Sequence, residues 1–188
     1  FISHGMEGAV LLFDVDRLQR INDILGYLVG DEVLQRLGQK CQSLEGVISY
    51  RGPGGKFYCI TTEKSENALE RIYQEMQKFS VEVPREMNLE IQLTISCGVA
   101  FFPQDAEDFE TLHANVEYAL EQAKKVGRGS IAQFSGQMHR KTVEKFRLQE
   151  VLRESVANNC RGFALVYQPL VNGETQDVYG AETLMRFY

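Results

Sequence analysis

The segment AVLLFDV, at residues 9–15, constrains the fold more than any other part of the chain. It is apolar from Ala9 to Phe13, and two acidic residues, Asp14 and Asp16, mark its end. A strand with one wet face alternates apolar and polar residues, whereas a continuous apolar run indicates a strand buried on both faces. The chain must therefore cover both sides of a sheet, and it places two carboxylates where this strand ends.

Helix and strand patterns follow this segment in a regular order. Apolar residues with a helical period predict helices at residues 17–25, 31–42, 65–79 and 108–125, and in the last helix Phe109 is predicted to face the core. Strands are predicted at 47–50 and 57–61 as a hairpin, at 89–99 as a half-buried antiparallel strand, and at 130–134 as an edge strand. The order β-α-α-β-β-α-β-α-β, with helices covering a mainly antiparallel sheet, predicts an α+β domain over residues 9–135, after a linker at 1–8.

The remainder of the chain predicts a helix and a short hairpin. Residues 136–161 form a charged connecting segment, predicted to be largely helical, and its apolar residues that could face a partner are Val143, Phe146, Val151, Leu152 and Val156. Strands predicted at 163–171 and 177–184 flank a turn at Asn172 and Gly173. This tail, residues 162–188, is too short to form a domain of its own.

Charge and composition exclude several classes of function. The formal net charge of −6 argues against a nonspecific nucleic-acid binder, although local positive charge can still hold a small anion. The four cysteines form no CxxC pair, which indicates free thiols and a cytoplasmic location. No apolar run is long enough for a membrane span, so no membrane contact is predicted for this segment. Because the chain begins with Phe1 rather than Met, we expect it to be part of a longer protein, which can carry an anchor elsewhere.

Three segments resemble the same family. FDVDRLQRINDILGYLVGDEVL, residues 13–34, resembles the pattern FDxDxFKxINDxxGHxxGDxxL; the turn RGPGGKF, residues 51–57, resembles R-x-GGDEF; TISCGVA and AKKVGR complete the set. Residues 9–134 therefore resemble a GGDEF domain, the fold of diguanylate cyclases, in which two domains meet and join two GTP molecules into cyclic di-GMP. The resemblance implies a GGDEF or nucleotidyl-cyclase-like sheet, GTP as ligand, Mg²⁺ as cofactor and a homodimer as a candidate assembly.

The metal site implied by this resemblance is incomplete. Asp14 and the Val15 carbonyl match metal ligands, with a helix-capping aspartate as the alternative for Asp14. The signature itself reads Pro53, Gly54, Gly55, Lys56 and Phe57. Gly55 stands where the second metal carboxylate is expected, and Lys56 stands where the family has a catalytic-site glutamate. Two unit charges about 5 Å apart repel by roughly 3 kcal/mol at an effective dielectric constant near 20, and a divalent ion doubles that.

We therefore predict that no catalytic set is intact and that Mg²⁺, although a candidate cofactor, binds weakly beside Gly55 and Lys56. One variant of this interpretation has Lys56 pairing with Asp14 and replacing the charge of the metal.

The residues implied for the nucleotide itself are retained. Asn22 and Asp31 match the positions that read the guanine base, with a helix N-terminal acid as the alternative for Asp31. Lys124 and Arg128 match a phosphate-binding pair, with a solvated helix end as the alternative. Gln19 replaces a lysine that commonly faces phosphate in the family. The resemblance thus implies that nucleotide-binding residues are retained around a turn that lacks the catalytic carboxylates.

The tail resembles a second family. VYQPLVNGETQDVYGAETLMR, residues 166–186, is similar to the opening of an EAL phosphodiesterase domain, which reads YQPI…GxEALxR. In that family Glu182 matches a metal ligand, and Gln168 and Arg186 match substrate-side positions. The EAL domain is a large barrel, and without the rest of it none of the three residues is expected to bind metal or substrate. The resemblance implies a GGDEF–EAL tandem whose own EAL domain is a partner of this segment.

Three functions are left open by the sequence. The first is a non-catalytic regulatory domain of a bacterial cyclic di-GMP signalling protein, which binds GTP without turnover and modulates the EAL phosphodiesterase. The second is an active diguanylate cyclase with an unusual turn. The third is a structural dimerisation spacer that binds no ligand.

Overall fold

The structure is a computed structural model that describes the backbone of residues 6–188 and their side chains, except those at positions 138, 141, 142, 145 and 146. The chain divides into a first unit that ends at His139 and a second that begins at Arg140. The elements, in chain order, are β1 Gly8–Val15, α1 Leu18–Leu25, α2 Tyr27–Gln42, β2 Val47–Arg51, β3 Lys56–Thr61, α3 Glu66–Glu86, β4 Ile95–Phe102, α4 Phe109–Val126, β5 Ile131–Gln133, α5 Gly136–Ala157, β6 Phe163–Val171 and β7 Val178–Phe187. The predicted linker lies partly outside the described residues, and its last residue, Gly8, begins β1.

The first unit is built on a five-stranded sheet with the order β2-β3-β1-β4-β5. Its strand pairs are antiparallel except for β4 and β5, which are parallel. Every residue of β1 is buried, as the apolar run predicts for a central strand covered on both faces. The predicted α+β class and element order are confirmed.

Two core layers separate the alternating residues of β1. Leu11 and Phe13 belong to the layer that includes residues of α1, α2 and α3, whereas Leu12 belongs to the layer beneath α4. The helix α4 comes close to the sheet because Gly98 in β4 has no side chain: a Cβ there would lie 2.4 Å from the backbone nitrogen of Leu120. This close approach brings the polar side chains of α4 to the end of β1.

The strand predicted at 89–99 is wrong in position and in burial. The strand is Ile95–Phe102, and all of its residues are buried because α4 covers the face predicted to be wet. Residues 89–94 form no strand, although Leu93 in this segment is buried. The prediction for Phe109 is also wrong: its side chain is 71% exposed, because it begins α4 ahead of the turn that packs on the sheet.

Two helices differ from their predicted bounds. The helix α2 begins at Tyr27, immediately after Gly26, whose φ of 89° ends α1 and redirects the chain. Asp31 consequently lies beyond the first turn of α2, so its alternative interpretation as a helix N-terminal acid is wrong. The helix α3 continues past the predicted end to Glu86, because Val83 and Pro84 are still buried.

The second unit is a helix and a hairpin with little buried surface of their own. Within α5, Val143, Val151 and Val156 are exposed and Leu152 is half-buried, while the side chain of Phe146 lies outside the described set. The strands β6 and β7 pair antiparallel, with an irregularity beside Val171. Within residues 6–188, no helix has the length and hydrophobicity to cross a membrane.

Candidate functional site

Asp14 lies where the resemblance places a metal ligand, but its carboxylate is already paired. In the sheet Asp14 stands opposite Lys56 on β3 and Ser96 on β4. Its side chain is largely buried on the α4 side and forms an ion pair with the Lys124 ammonium. The residue preceding α1 is Arg17, and no side chain caps that helix, so the alternative interpretation of Asp14 as a helix cap is wrong. The adjacent Val15 is buried and pairs with Ile95.

Lys56 does not pair with Asp14, and the variant that predicted this pair is wrong. The Lys56 ammonium lies 2.5 Å from the Glu117 carboxylate on α4. Lys124, two helical turns after Glu117, has taken the position beside Asp14. Lys124 rather than Lys56 therefore pairs with Asp14, because α4 presents an acid and a base on the same face.

Glu117 is a residue of this site that was not predicted from the sequence. It accepts a hydrogen bond from the Tyr58 hydroxyl at 3.2 Å, and that hydroxyl lies 2.8 Å from Nε2 of His113. Burial, followed by the negative charge of Glu117, raises the pKa of Tyr58 to about 12. The spacing of seven residues between Glu117 and Lys124 is the signal that could have placed both on one helix face.

The turn between β2 and β3 is tightly packed at Gly55. Pro53–Gly55 form a short 3₁₀ turn, in which φ is 69° at Gly54 and 82° at Gly55. A Cβ on Gly55 would lie 3.0 Å from Leu18 Cδ2 and 3.1 Å from Leu34 Cδ2. Phe57, the last residue of the signature, is buried in the core. The turn therefore serves packing, and its third position is closed by two leucines.

The residues at this end of β1 do not fit a divalent cation. We call Asp14, Gly55, Lys56, Glu117 and Lys124 the metal end of the site. Mg²⁺ prefers several oxygen ligands, yet one carboxylate here pairs with Lys124, the other pairs with Lys56, and Gly55 offers no side chain. Among the described residues, no group of three or more histidine, cysteine, aspartate or glutamate side chains is arranged to hold a metal ion.

The positions that match the guanine site lie on α1 and α2. We call Asn22, Gly30 and Asp31 the base end. The Oδ1 atom of Asn22 is buried and has no hydrogen-bond partner within the described part of the protein. A Cβ on Gly30 would lie 1.8 Å from that oxygen, so this glycine makes the space that the amide occupies. Asp31, the next residue of α2, is exposed.

The two residues matched to phosphate have different surroundings. Lys124 is bound to Asp14, whereas Arg128, just beyond the end of α4, is exposed and lines a separate cleft together with Arg17 and Arg20. Gln19, at the position of the missing lysine, donates a hydrogen bond to Asp23 at 3.0 Å. The phosphate pair implied by the resemblance is therefore not assembled as a pair in this structure.

The residues matched to the EAL family lie on the hairpin of the second unit. Gln168 on β6 stands directly opposite Glu182 on β7, and Arg186 stands opposite Ala164. Gln168, Glu182 and Arg186 are exposed. The hairpin thus brings two of the three matched residues side by side.

Comparison with known proteins agrees with this geometry. The sequence model described as "Diguanylate cyclase, GGDEF domain" matches residues 2–130. The chain is 28% identical over 183 residues to "Cyclic di-GMP phosphodiesterase NbdA" of Pseudomonas aeruginosa, an alignment that covers 95% of this chain and 23% of that protein. It is 27% identical over 184 residues to "Bifunctional diguanylate cyclase/cyclic di-GMP phosphodiesterase MucR" of the same organism, covering 95% of this chain and 26% of that protein.

A similar solved structure supports the fold at the level of coordinates. The X-ray structure of an EAL/GGDEF domain protein from M. capsulatus has 29% sequence identity and a TM-score of 0.61, covering 70% of this chain and 86% of that one. The chain spans about a quarter of the length of the two Pseudomonas proteins. The similarity therefore concerns one segment of larger signalling proteins.

Proposed function

Since this chain belongs to the GGDEF family of domains found in bacterial cyclic di-GMP signalling proteins, we propose that it is a regulatory member that has lost the cyclase reaction. In this proposal it binds GTP at the base end without turning it over. The observation that carries the proposal is the pair of lysine–carboxylate contacts that fill the metal end.

The charges of the metal end cancel without a cation. Two carboxylates, Asp14 and Glu117, face two ammonium groups, Lys56 and Lys124. A Mg²⁺ ion would have to displace Lys124 from Asp14 and would then lie near the second positive charge of Lys56. Like charges a few ångströms apart in a partly buried site cost several kcal/mol. We therefore propose that Mg²⁺ binds poorly and that the degenerate turn carries no catalysis.

The base end supports retained nucleotide binding. A buried oxygen without a partner costs about 1–3 kcal/mol, and Asn22 Oδ1 is such an atom. The N–H groups of guanine are donors of the kind that this oxygen lacks, and Asp31 adds an exposed carboxylate acceptor next to Gly30. In this proposal the Asn22 amide turns out of its buried position over Gly30 to pair with the guanine edge.

The first experiment asks whether the domain makes cyclic di-GMP. Purified protein is incubated with GTP and either Mg²⁺ or Mn²⁺, and the products are separated by chromatography. We expect no cyclic di-GMP. Product formed above the level of a no-protein control would instead favour the active cyclase.

The second experiment asks whether the domain binds GTP and whether metal helps. Calorimetric titration with GTP is carried out with Mg²⁺ and with a chelator, using Asn22→Ala as the variant that removes the amide. We expect a dissociation constant near or below about 1 mM in both conditions, weakened about tenfold or more in the variant. Absence of binding and of any thermal shift at millimolar GTP would favour the structural spacer.

Regulation of a phosphodiesterase is the proposed role in the longer protein. The β6–β7 hairpin resembles the start of an EAL domain, and NbdA and MucR are named as phosphodiesterases. We expect GTP to change the rate at which the longer protein hydrolyses cyclic di-GMP, and Asn22→Ala to remove that effect. An unchanged rate at saturating GTP would contradict this role while leaving nucleotide binding itself intact.

A further inference from the structure

A cleft on the first unit is lined by three arginines outside the metal end. It has a volume of about 620 Å³ and lies between the start of α1, the segment before β4 and the residues that follow α4. Arg17, Arg20 and Arg128 line it and are all exposed. We call these three residues and their surroundings the arginine cleft. Sequence segments that are far apart in the chain thus bring guanidinium groups to one place.

The three guanidinium groups have no acidic partners. Within the described residues, none of the three forms an ion pair or a side-chain hydrogen bond, although carboxylates elsewhere in the first unit pair with Arg36, Lys40 and other bases. Guanidinium groups that share a cleft repel one another, and an anion between them would relieve that repulsion.

The buried acid in this cleft is not available as their partner. Asp16 accepts hydrogen bonds from Thr94 Oγ1 and Ser96 Oγ, each at 2.9 Å, and from the Gly129 backbone N–H at 3.0 Å. These neutral donors use its oxygens and hold the end of β1, the start of β4 and the loop after α4 together. Glu90 also lines the cleft and is exposed, so it offsets part of the positive charge.

The cleft also has an apolar part. Ile21, Ile24 and Ile91 line it beside the arginines. The first turn of α1, which directly follows Arg17, has no side chain that accepts a hydrogen bond from its free N–H groups. Guanidinium groups recognise phosphate by paired hydrogen bonds, and the isoleucines offer a surface for an organic portion of the ligand.

We propose that the arginine cleft binds a small phosphorylated organic anion through Arg17, Arg20 and Arg128, independently of the metal end. Two of these residues lie outside the set implied by the family resemblance. The site goes beyond the proposed function, because it does not require guanine, Lys124 or a metal. It would give the domain a second ligand whose recognition depends on phosphate charge.

The test uses inorganic pyrophosphate as the probe, in calorimetric titrations of the whole chain at low ionic strength. The double variant Arg17→Gln/Arg20→Gln removes two exposed charges, and Arg71→Gln is the matched control, since Arg71 is exposed on α3 and faces Glu63 instead. Because the double variant removes two groups that can form charge-assisted hydrogen bonds to phosphate, we expect at least a tenfold loss of affinity in it and little change in the control. Thermal melting confirms that each variant is folded.

Two further titrations separate this site from the others. Lys124→Gln should leave pyrophosphate binding unchanged, and so should Asn22→Ala, even though the latter is expected to weaken GTP. Affinity that is equal in the double variant and in Arg71→Gln would overturn the proposal, as would no heat of binding at about 10 mM pyrophosphate, a concentration far above the dissociation constants typical of specific phosphate sites. Replacing pyrophosphate by a nucleoside diphosphate then tests the apolar part: tighter binding supports the isoleucine surface, and weaker binding contradicts it.

Discussion

The metal end and the base end of the proposed site differ in how their polar groups are paired. At the metal end, a glycine and a lysine stand where the family resemblance implies carboxylates, and the charges that are present pair within the protein. At the base end, the matched residues persist, and a buried amide oxygen of Asn22 is left without a partner among the described residues. Ion pairs within the protein satisfy the charged groups of the metal end without a ligand, whereas the buried oxygen of Asn22 at the base end stays unsatisfied.

In the proposed function, catalysis and binding are therefore separable. A metal site depends on net negative charge at one point, which Gly55 and Lys56 do not provide. A base-reading site depends on the space and hydrogen-bond direction given by Asn22 and Gly30, which the turn does not touch. A substitution at one end should therefore leave the other end unchanged.

The largest effect is expected when the family signature is restored at the metal end. The double variant Gly55→Asp/Lys56→Glu should destabilise the protein by about 3 kcal/mol and still produce no cyclic di-GMP, as measured by thermal or denaturant unfolding and by product analysis. The aspartate must adopt the positive φ of Gly55 and press on Leu18 and Leu34, while the glutamate loses the ion pair and faces Glu117.

The single variant Gly54→Asp is its control. Gly54 has a similar φ, but no atom lies within 4 Å of the place that a Cβ would take, so only the backbone cost of about 1 kcal/mol should be observed. Cyclic di-GMP synthesis by the double variant would instead show that Gly55 and Lys56 alone account for the proposed loss of activity, and that Leu18 and Leu34 leave room for an aspartate.

At the base end, Gly30→Ala should weaken nucleotide binding while leaving the fold intact. The added methyl group would overlap Asn22 Oδ1 and push the amide out of its position. We expect GTP affinity to fall at least tenfold, equivalent to about 1.4 kcal/mol, with unfolding free energy unchanged or slightly raised because alanine favours a helix. Gly136→Ala, in a helix with no atom near the new methyl group, is the control. Equal GTP binding by both variants would show that Asn22 does not read the base.

A smaller effect is expected when Asp14 loses its partner. Lys124→Met leaves a carboxylate that is only 12% exposed without its ammonium, and it should lower the unfolding free energy by about 1–2 kcal/mol. Lys125→Met, an exposed neighbour on the same helix, should change it by less than about 0.5 kcal/mol. Similar losses in both variants would mean that the Asp14 contact adds nothing to stability. The affinity of the base end for GTP should not change in either variant.

Secondary-structure elements could be predicted from the sequence better than the side-chain partners of charged residues, and the metal end shows why. The central strand, the hairpin and the helix order follow from local periodicity, so they could be predicted from neighbouring residues. The pairing of Lys56 with Glu117 and of Lys124 with Asp14 depends on which face of α4 meets the sheet, and that is set by the missing side chain of Gly98.

Non-local packing accounts for the other differences as well. The alternation at 89–99 is typical of a strand, but residues 89–94 contact the core without pairing with another strand, and only the packing of the whole domain determines this. The sequence offers Asp16 as a second acid near the site, yet in the fold it holds Thr94, Ser96 and Gly129. In the sequence Glu117 is part of an ordinary helical pattern, and only the fold shows that it lies beside Lys56.

The smallest effect concerns Tyr58, which reports the charge of Glu117 at the metal end. Burial and then Glu117 raise the pKa of Tyr58 to about 12, so its phenol should remain protonated at a pH where an exposed tyrosine, with a pKa near 10, has ionised. A raised pKa stabilises the folded state below about pH 10, and that contribution is lost as the pH rises towards 12. Ultraviolet titration of the wild type minus Tyr58→Phe isolates this phenol, and Glu117→Gln should lower its pKa only part of the way towards 10, because burial persists. A phenol with the same pKa in the wild type and in Glu117→Gln would mean that Glu117 is not a charged neighbour, and the cancellation of charge at the metal end would then fail at its second ion pair.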